Sequence, residues 1–242
     1  MADDTLPAPV RRWLDAAWAG CRDRPTTLVL GGRARMWRPR MPTMRLDTRI
    51  SARLGRDRVS EFAVRCGPLT LLRGLDATVD GRSASRVGRQ VSVGPEVDQG
   101  SLLSLWGEAA VYPSAWPHLP GLRWEHLDGW GAWLRLPLPT GEETALVTFD
   151  PQTGFPARFE VDRFKGAGGP RTPWSGEYRD WRTVAGVPVA HRLVVQWGDE
   201  ARPWFDLTVT DVQVDAPVQA ALARGRALLA GTHAPGGDGA LA

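Results

Sequence analysis

The stretch that decides the fold is residues 98–126, DQGSLLSLWGEAAVYPSAWPHLPGLRWEH. Its first part has the spacing of a short amphipathic helix, because apolar residues recur at intervals of three and four. These residues are Leu102, Leu103, Leu105, Trp106, Ala109 and Ala110. Pro113 and Pro117 then end the helix and stiffen a Trp-rich loop, which leads into the strand GLRWEHL. The segment therefore predicts one helix inserted between two β regions.

On both sides of this segment, apolar residues recur at every second position, as they do in β-strands. Between about Thr27 and Val93, for example, Leu46 and Ile50 alternate with charged residues. Further alternating segments run from about residue 144 to 214, and the turns that join them are short, so neighbouring strands are expected to be antiparallel. Helices are predicted at the two ends, from about Ala8 to Ala19 and from Pro217 to about Leu229.

About ten strands with three helices predict a mainly β (α+β) fold. A single wide antiparallel sheet must twist and curl, so we expect a curved half-barrel. The central helix would cover its concave face. We expect one domain over residues 6–230, followed by a disordered tail at 231–242, GTHAPGGDGALA.

The composition argues against a nucleic-acid-binding protein. Lys165 is the only lysine, Ile50 is the only isoleucine and asparagine is missing, which indicates a GC-rich bacterial genome and explains the arginine excess. The formal net charge is only +3. Arginines of the first β region are interleaved with acids such as Asp47 and Asp57, a pattern typical of a solvated sheet face.

Cysteine usage and the N-terminus predict a cytoplasmic protein. Cys21 and Cys66 are too few for a disulfide framework. The opening MADDTLPAPVRRW has two acids and no apolar run, so it is not a secretory signal. No stretch reaches the roughly 18 apolar residues of a membrane span, so no integral membrane segment is expected.

Several landmarks carry a resemblance that spans Leu6 to about Val214. They are LPAPVRRWL, FAVRCGPL with LDATVDG, SLLSLWGEAAVYPSAW, GLRWEHLD and TPWSGEYRDWRTVAGVPV. In this order they resemble a bacterial family of unknown function. The resemblance implies a fold similar to the lipoprotein-localisation carriers, whose curved half-barrel shields a lipid chain. One departure concerns a proline after the GVPV turn. The family pattern leads us to expect it near Ala190, but in this chain the proline is Pro188.

Two carboxylates are candidate catalytic residues, Glu108 in the central helix and Asp76 in a strand. They could serve as acid and base if both are buried and close together. The simpler interpretation places Glu108 on a solvated stripe of the helix with Ser101 and Ser104. His191 lies among apolar residues and is expected to be a hydrogen-bonded core residue.

The strand GLRWEHL separates its own polar residues. Trp124 and His126 are expected on one face of the strand and Glu125 on the other, because side chains alternate. The histidines and cysteines lack the close spacing of metal ligands, so no metal is expected. No motif implies a cofactor.

Twelve tryptophans either fill the core of the wide sheet or line a cavity for an apolar ligand. The candidate ligand-binding residues are Trp106, Trp116, Trp124, Trp197 and His126. The first functional hypothesis is a non-catalytic carrier or sensor of a lipid-like or other apolar small molecule. The second is an isomerase, cyclase or hydrolase that acts on a hydrophobic substrate through Glu108 or Asp76. The third is a scaffold with exposed apolar patches. The oligomeric state stays open.

Overall fold

The computed structural model describes residues 6–19, 25–110, 112, 121–139 and 141–232. Within these ranges the chain forms three helices, α1 (Ala8–Trp18), α2 (Pro95–Ala109) and α3 (Gln219–Gly231). It also forms thirteen strands: β1 (Thr27–Met36), β2 (Met44–Arg53), β3 (Asp57–Cys66), β4 (Leu69–Val79), β5 (Arg82–Val87), β6 (Gln90–Ser92), β7 (Arg123–His126), β8 (Gly131–Leu138), β9 (Gly141–Phe149), β10 (Pro156–Phe164), β11 (Arg171–Val184), β12 (Val187–Trp197) and β13 (Phe205–Val214).

All thirteen described strands belong to one antiparallel sheet. Its order is β6-β5-β4-β3-β2-β1-β13-β12-β11-β10-β9-β8-β7. The chain therefore forms two meanders, β1–β6 and β7–β13, which meet where β1 pairs with β13. The predicted mainly β fold is confirmed. There are more strands than the ten or so expected, since short strands such as the three-residue β6 show too little alternation to be counted.

The sheet curves around helix α2. This helix contacts β5 and β10, the second and tenth strands in the sheet order. In a flat sheet these strands would lie about 38 Å apart, at about 4.8 Å for each step. A helix is only about 10–12 Å wide with its side chains. Contact with both strands therefore requires the sheet to fold around the helix, and the helix covers the concave face as predicted.

The two faces of the sheet support two separate cores. Leu28 and Leu30 of β1 point into the large core on the concave side, while Val29 between them belongs to a smaller core under α3. Helix α3 approaches this outer face closely at Gly225, where an added Cβ would lie 3.0 Å from Val59. Helix α1 packs in the concave core, where Trp13 is fully buried.

Both terminal helices fall close to their predicted positions, and the last one begins and ends two residues later than expected. Helix α3 begins at Gln219, two residues after Pro217, and continues to Gly231, two residues past Leu229. The predicted tail therefore overlaps the end of the helix, and its residues 233–242 lie outside the described residues. Pro113 and Pro117 also lie outside them. Among the described residues, no helix combines the length and the apolar character that a membrane crossing requires.

Candidate functional site

Helix α2 is buried on nearly every side. Its apolar residues are buried as predicted, but Gln99 and Glu108 are buried as well. The expectation that Glu108 lies on a solvated stripe with Ser101 and Ser104 is wrong, because only 8% of Glu108 is exposed. The curvature of the sheet is the reason, since it places strands on opposite sides of the helix.

Arg58 of β3 and Glu108 form a buried ion pair. Nε of Arg58 donates to Oε2 of Glu108 over 2.5 Å, and each side chain is only 10% exposed. Burial lowers the pKa of Arg58, but the charge of Glu108, their hydrogen bond and the charge of Asp76 outweigh it, so the pKa is raised. Buried charges are tolerated when they are paired. The pair ties the last turn of α2 to β3.

Asp76 lies on β4, next to Arg58 on the concave face. Its Oδ1 accepts a hydrogen bond from Oγ of Ser85 over 2.5 Å. The charge of Asp76 also raises the pKa values of Arg58 and Arg163. The structure thus brings the two candidate carboxylates, Glu108 and Asp76, into one cluster with two arginines. Each carboxylate already accepts a hydrogen bond, which is typical of a structural network.

Arg163 of β10 is the second arginine of this cluster, and it forms no ion pair within the described residues. Its Nη1 donates to Oγ of Ser104 over 2.7 Å, while its buried Nε has no hydrogen-bond partner among the residues that the structure describes. The guanidinium lies over the rings of Trp174 and Trp197, 5.0 and 5.3 Å from their centroids. Burial, and then the charge of Arg58, lower the pKa of Arg163 to about 10.

Glycines in α2 make room for these groups. A Cβ at Gly100 would lie 2.7 Å from Nη2 of Arg163, and one at Gly107 would lie 3.3 Å from the ring of Trp174. Helix α2 therefore approaches the second half of the sheet most closely at its glycines. Glycine also weakens a helix by about 1 kcal/mol relative to alanine. The two glycines that allow this close approach therefore lower the intrinsic stability of α2.

Both tyrosines of the chain lie near Glu108. Tyr178 of β11 donates its hydroxyl hydrogen to the carbonyl oxygen of Gly107 over 2.6 Å. Burial, and then the charge of Glu108, raise the pKa of Tyr178 well above its ordinary value. Tyr112 is also buried, and the same two causes raise its pKa strongly.

The candidate tryptophans that the structure describes lie on three different elements. Trp106 is buried in α2, and its Nε1 finds no hydrogen-bond partner in the described ranges of the chain. Trp197 is buried on β12 next to Arg163. Trp124 is half-buried on β7 and meets the ring of Trp13 edge to face at 6.3 Å. Trp116 lies outside the described residues.

The alternation expected for β7 is present. Trp124 and His126 pair with Leu134 and Ala132 of the concave core, whereas Glu125 is on the outer face and binds Arg135 through both carboxylate oxygens at 3.0 Å. His126 is exposed. As expected, His191 is buried and hydrogen-bonded, with Nδ1 3.0 Å from the carbonyl oxygen of Val189. The described residues contain no group of three or more His, Cys, Asp or Glu that could hold a metal ion.

Sequence reasoning missed the two arginines that organise the site. A signal existed for each of them. Arg58 lies on the same strand face as the inward-facing Ser60 and Phe62. Arg163 lies on the same strand face as the buried Phe159 and Val161. A charged residue in register with apolar residues on one strand face indicates a buried charge that needs a partner.

The chain belongs to a family of unknown function, DUF6544, which matches residues 2–207. The expected membership of such a family is confirmed. No curated protein matches the chain. Two solved structures are similar to it at low identity. A LolA-superfamily protein from Nitrosomonas europaea is 12% identical, with a TM-score of 0.48, over 88% of this chain and 94% of that one. A domain from Vibrio parahaemolyticus, named for outer-membrane lipoprotein sorting, is 11% identical, with a TM-score of 0.48, over 86% and 94%.

Proposed function

We propose that this protein binds a lipid-like or other apolar small molecule on its concave side without chemical turnover. Helix α2 acts as a displaceable cover in this proposal. The two glycines in the helix favour displacement, because they lower its intrinsic stability. When α2 moves away, the concave core beneath it offers apolar and aromatic side chains to the ligand.

One observation carries the proposal. Nε of Arg163 and Nε1 of Trp174 are buried donors that have no hydrogen-bond partner within the described part of the chain, and the guanidinium lies 5.0 Å from the centroid of that indole ring. Buried donors are nearly always paired, so two unpaired donors in an apolar setting favour a ligand that supplies an acceptor. A molecule with an apolar chain and a carboxylate, ester or phosphate oxygen at one end has this chemistry.

The enzymatic alternative has weaker support. Glu108 is paired with the buried charge of Arg58 and Asp76 accepts a hydrogen bond from Ser85, so both carboxylates already have partners in the described network. A general acid or base needs a free proton-transfer path to the reacting group. The arrangement supports a role for Glu108 in holding α2 against β3 and a role for Asp76 within the sheet.

Quenching of tryptophan fluorescence tests the proposal. A monomeric brominated fatty acid should quench the fluorescence saturably, because bromine acts on indoles that it approaches closely. Trp174→Phe should reduce the quenched fraction. The matched control is Trp133→Phe, because Trp133 is partly exposed on the outer face, and its removal should not reduce the quenched fraction.

Native mass spectrometry after mild purification, followed by lipid extraction, gives an independent test. A co-purifying molecule with a long apolar chain would support the proposal. Purified protein without any such molecule, together with fluorescence that the brominated fatty acid does not quench, would exclude it. Measurable turnover of a bound lipid that Glu108→Gln abolishes would favour the enzymatic alternative.

A cytoplasmic location is part of the proposal. Cys66 is a free and exposed thiol, which is compatible with a reducing compartment. Cell fractionation with an antibody against the chain would test this location, and recovery in a fraction outside the cytoplasm would contradict it.

A further inference from the structure

One end of the first meander carries an exposed surface formed by three connections. They are residues 37–43 between β1 and β2, residues 66–73 around the β3–β4 turn, and residues 86–91 around the β5–β6 turn. We call these three segments the hairpin rim. They lie side by side, because β1 to β6 are consecutive neighbours in the sheet and all three turns are at the same strand ends.

Each segment of the hairpin rim presents exposed apolar side chains. Leu69 and Leu71 are each 64% exposed and Met41 is 50% exposed, while Val87 and Val91 are exposed to a lesser degree. Leu71 is exposed because a register shift in the pairing of β3 with β4 leaves it outside the regular ladder. Isolated exposed apolar residues are ordinary, but apolar residues repeated on three adjacent turns indicate a contact surface.

The hairpin rim is also strongly basic. It contains Arg38, Arg40, Arg73, Arg86 and Arg89, and it contains no aspartate or glutamate. None of these five side chains forms an ion pair with another described residue. The turns at the opposite ends of the same strands differ, because Asp57 and Asp80 lie there among arginines. Basic charge is therefore concentrated at the end that also exposes the apolar side chains.

A groove continues this surface onto the outer face of the sheet. It has a volume of about 680 Å³, and its lining includes Leu71, Arg49, Arg73 and Arg86. One carboxylate in the lining, Glu61, is already bound to Arg224 through both of its oxygens at 2.9 and 2.8 Å. Arg49, Arg73 and Arg86 line the groove together with the exposed Leu71, and none of the three forms an ion pair with another described residue.

We propose that the hairpin rim docks the protein on an anionic phospholipid bilayer. Leu69, Leu71 and Met41 enter the region between headgroups and acyl chains, and the arginines contact lipid phosphates. Apolar tips ringed by basic residues match the layered chemistry of a membrane surface. A nucleic acid would use the arginines but has no equivalent use for three exposed aliphatic side chains. The docking does not depend on a ligand in the concave interior.

Vesicle sedimentation tests the docking. The full chain should bind vesicles of phosphatidylcholine mixed with phosphatidylglycerol, bind phosphatidylcholine alone poorly, and dissociate as salt increases. The double variant L69S/L71S should weaken binding about tenfold or more, because both apolar anchors are lost. Leu127→Ser is the matched control, since Leu127 is exposed at the β7–β8 turn, and its binding should stay unchanged.

The contribution of charge needs its own pair of variants. R73Q/R89Q should weaken binding about tenfold or more, at roughly a few-fold for each arginine near the surface. R33Q/R56Q removes the same charge from exposed positions outside the hairpin rim and should have little effect. Equal losses in these two variants would mean that overall charge alone drives binding, and the proposal would be overturned.

Cys66 allows the contact to be located directly, because this exposed thiol lies within the hairpin rim. In a Cys21→Ser background, an environment-sensitive fluorophore on Cys66 should shift to the blue when anionic vesicles are added. An unshifted spectrum with bound vesicles would place the contact elsewhere. Binding of a duplex oligonucleotide or of pyrophosphate that L69S/L71S leaves intact, together with no vesicle binding, would also overturn the proposal.

Discussion

Asp98 and Gln99 are neighbours in helix α2, yet they bind the second and tenth strands of the sheet order. Oδ1 of Asp98 accepts from the backbone N–H of Ser83 on β5 over 2.6 Å. Oε1 of Gln99 accepts from the backbone N–H of Phe164 on β10 over 3.1 Å. The first turn of α2 therefore joins the two halves of the curved sheet through its interior.

Replacing Gln99 by leucine should loosen this junction. The substitution removes the acceptor for Phe164 and the donor that Gln99 provides to Glu143 and to the carbonyl oxygen of Asp162. Leaving buried polar groups without partners should lower the free energy of unfolding by about 1–3 kcal/mol. Urea denaturation measures this loss, and hydrogen exchange should show faster exchange in α2. Gln213→Leu, at an exposed glutamine, should change stability by less than about 0.5 kcal/mol.

The buried pair of Arg58 and Glu108 should be costly to break on one side only. Glu108→Gln removes the carboxylate that is hydrogen-bonded to the buried guanidinium of Arg58 and should lower the free energy of unfolding by about 3–5 kcal/mol. The double variant R58M/E108L should recover most of that loss, because neither member of the pair is left as a buried charge without its partner. Denaturant titration of the two variants measures the difference.

The exposed pair of Arg224 and Glu61 provides the comparison for that experiment. Breaking it by Arg224→Ala should cost no more than about 1 kcal/mol, since both partners are partly solvated. A loss for Glu108→Gln as small as this, or a double variant less stable than both single variants, would contradict the account given for the buried pair.

Alkaline titration should report on both buried tyrosines, because the chain contains only Tyr112 and Tyr178. Both pKa values are raised by burial and by the charge of Glu108. The native protein should therefore show no phenolate absorbance as the pH passes about 10, where both tyrosines ionise in the urea-unfolded chain. Above that pH the unfolded state binds fewer protons, so stability falls as pH rises.

A tyrosine variant makes this titration specific. In Tyr178→Phe, only Tyr112 remains, and the absorbance change on alkaline unfolding should be half of the original value. Two phenolates that appear in the folded protein near pH 10, with the tertiary circular dichroism intact, would show that these side chains are accessible.

Gly32 should tolerate no side chain. It lies at the irregularity where β1 pairs with β13, and an added Cβ would be 2.4 Å from the carbonyl oxygen of Thr208. Backbone must move to relieve that contact, so Gly32→Ala should destabilise the protein by about 1–3 kcal/mol. Gly231→Ala is the control, because an added Cβ there meets no neighbour. Thermal unfolding of both variants checks this difference, and equal melting temperatures would contradict it.

The sequence predicts the sheet better than it predicts the site, for a physical reason. Alternation of Leu46 and Ile50 with charged residues depends on neighbours in the chain, and it survives any degree of sheet curvature. The burial of Glu108 depends on strands that close around α2 from both sides, and its partner Arg58 lies 50 residues earlier. A local sequence pattern cannot predict that strands will pack on both sides of the helix. From the sequence alone we therefore expect α2 to keep one solvated side.

For the tryptophans, too, the sequence predicts burial better than it predicts which side chains lie together. Their concentration in the β regions predicts an aromatic core, and most of the described ones are wholly or partly buried. Which of them share a neighbourhood depends on strand register. Trp197 is next to Trp174 because β11 pairs with β12 at that position, and the arginine above them comes from β10. This grouping becomes visible only when the strand order is known.

The strands β1 and β13 pair with each other but are synthesised at very different times. Thr26 and Asp215, which are hydrogen-bonded at this seam, are 189 residues apart in the chain. At about 5–20 residues per second, β1 leaves the ribosome roughly ten seconds or more before its partner strand exists. During that interval its backbone presents an open edge to other nascent chains. Arg33 and Arg35 lie on this edge, and their charges would repel a second copy until β13 arrives.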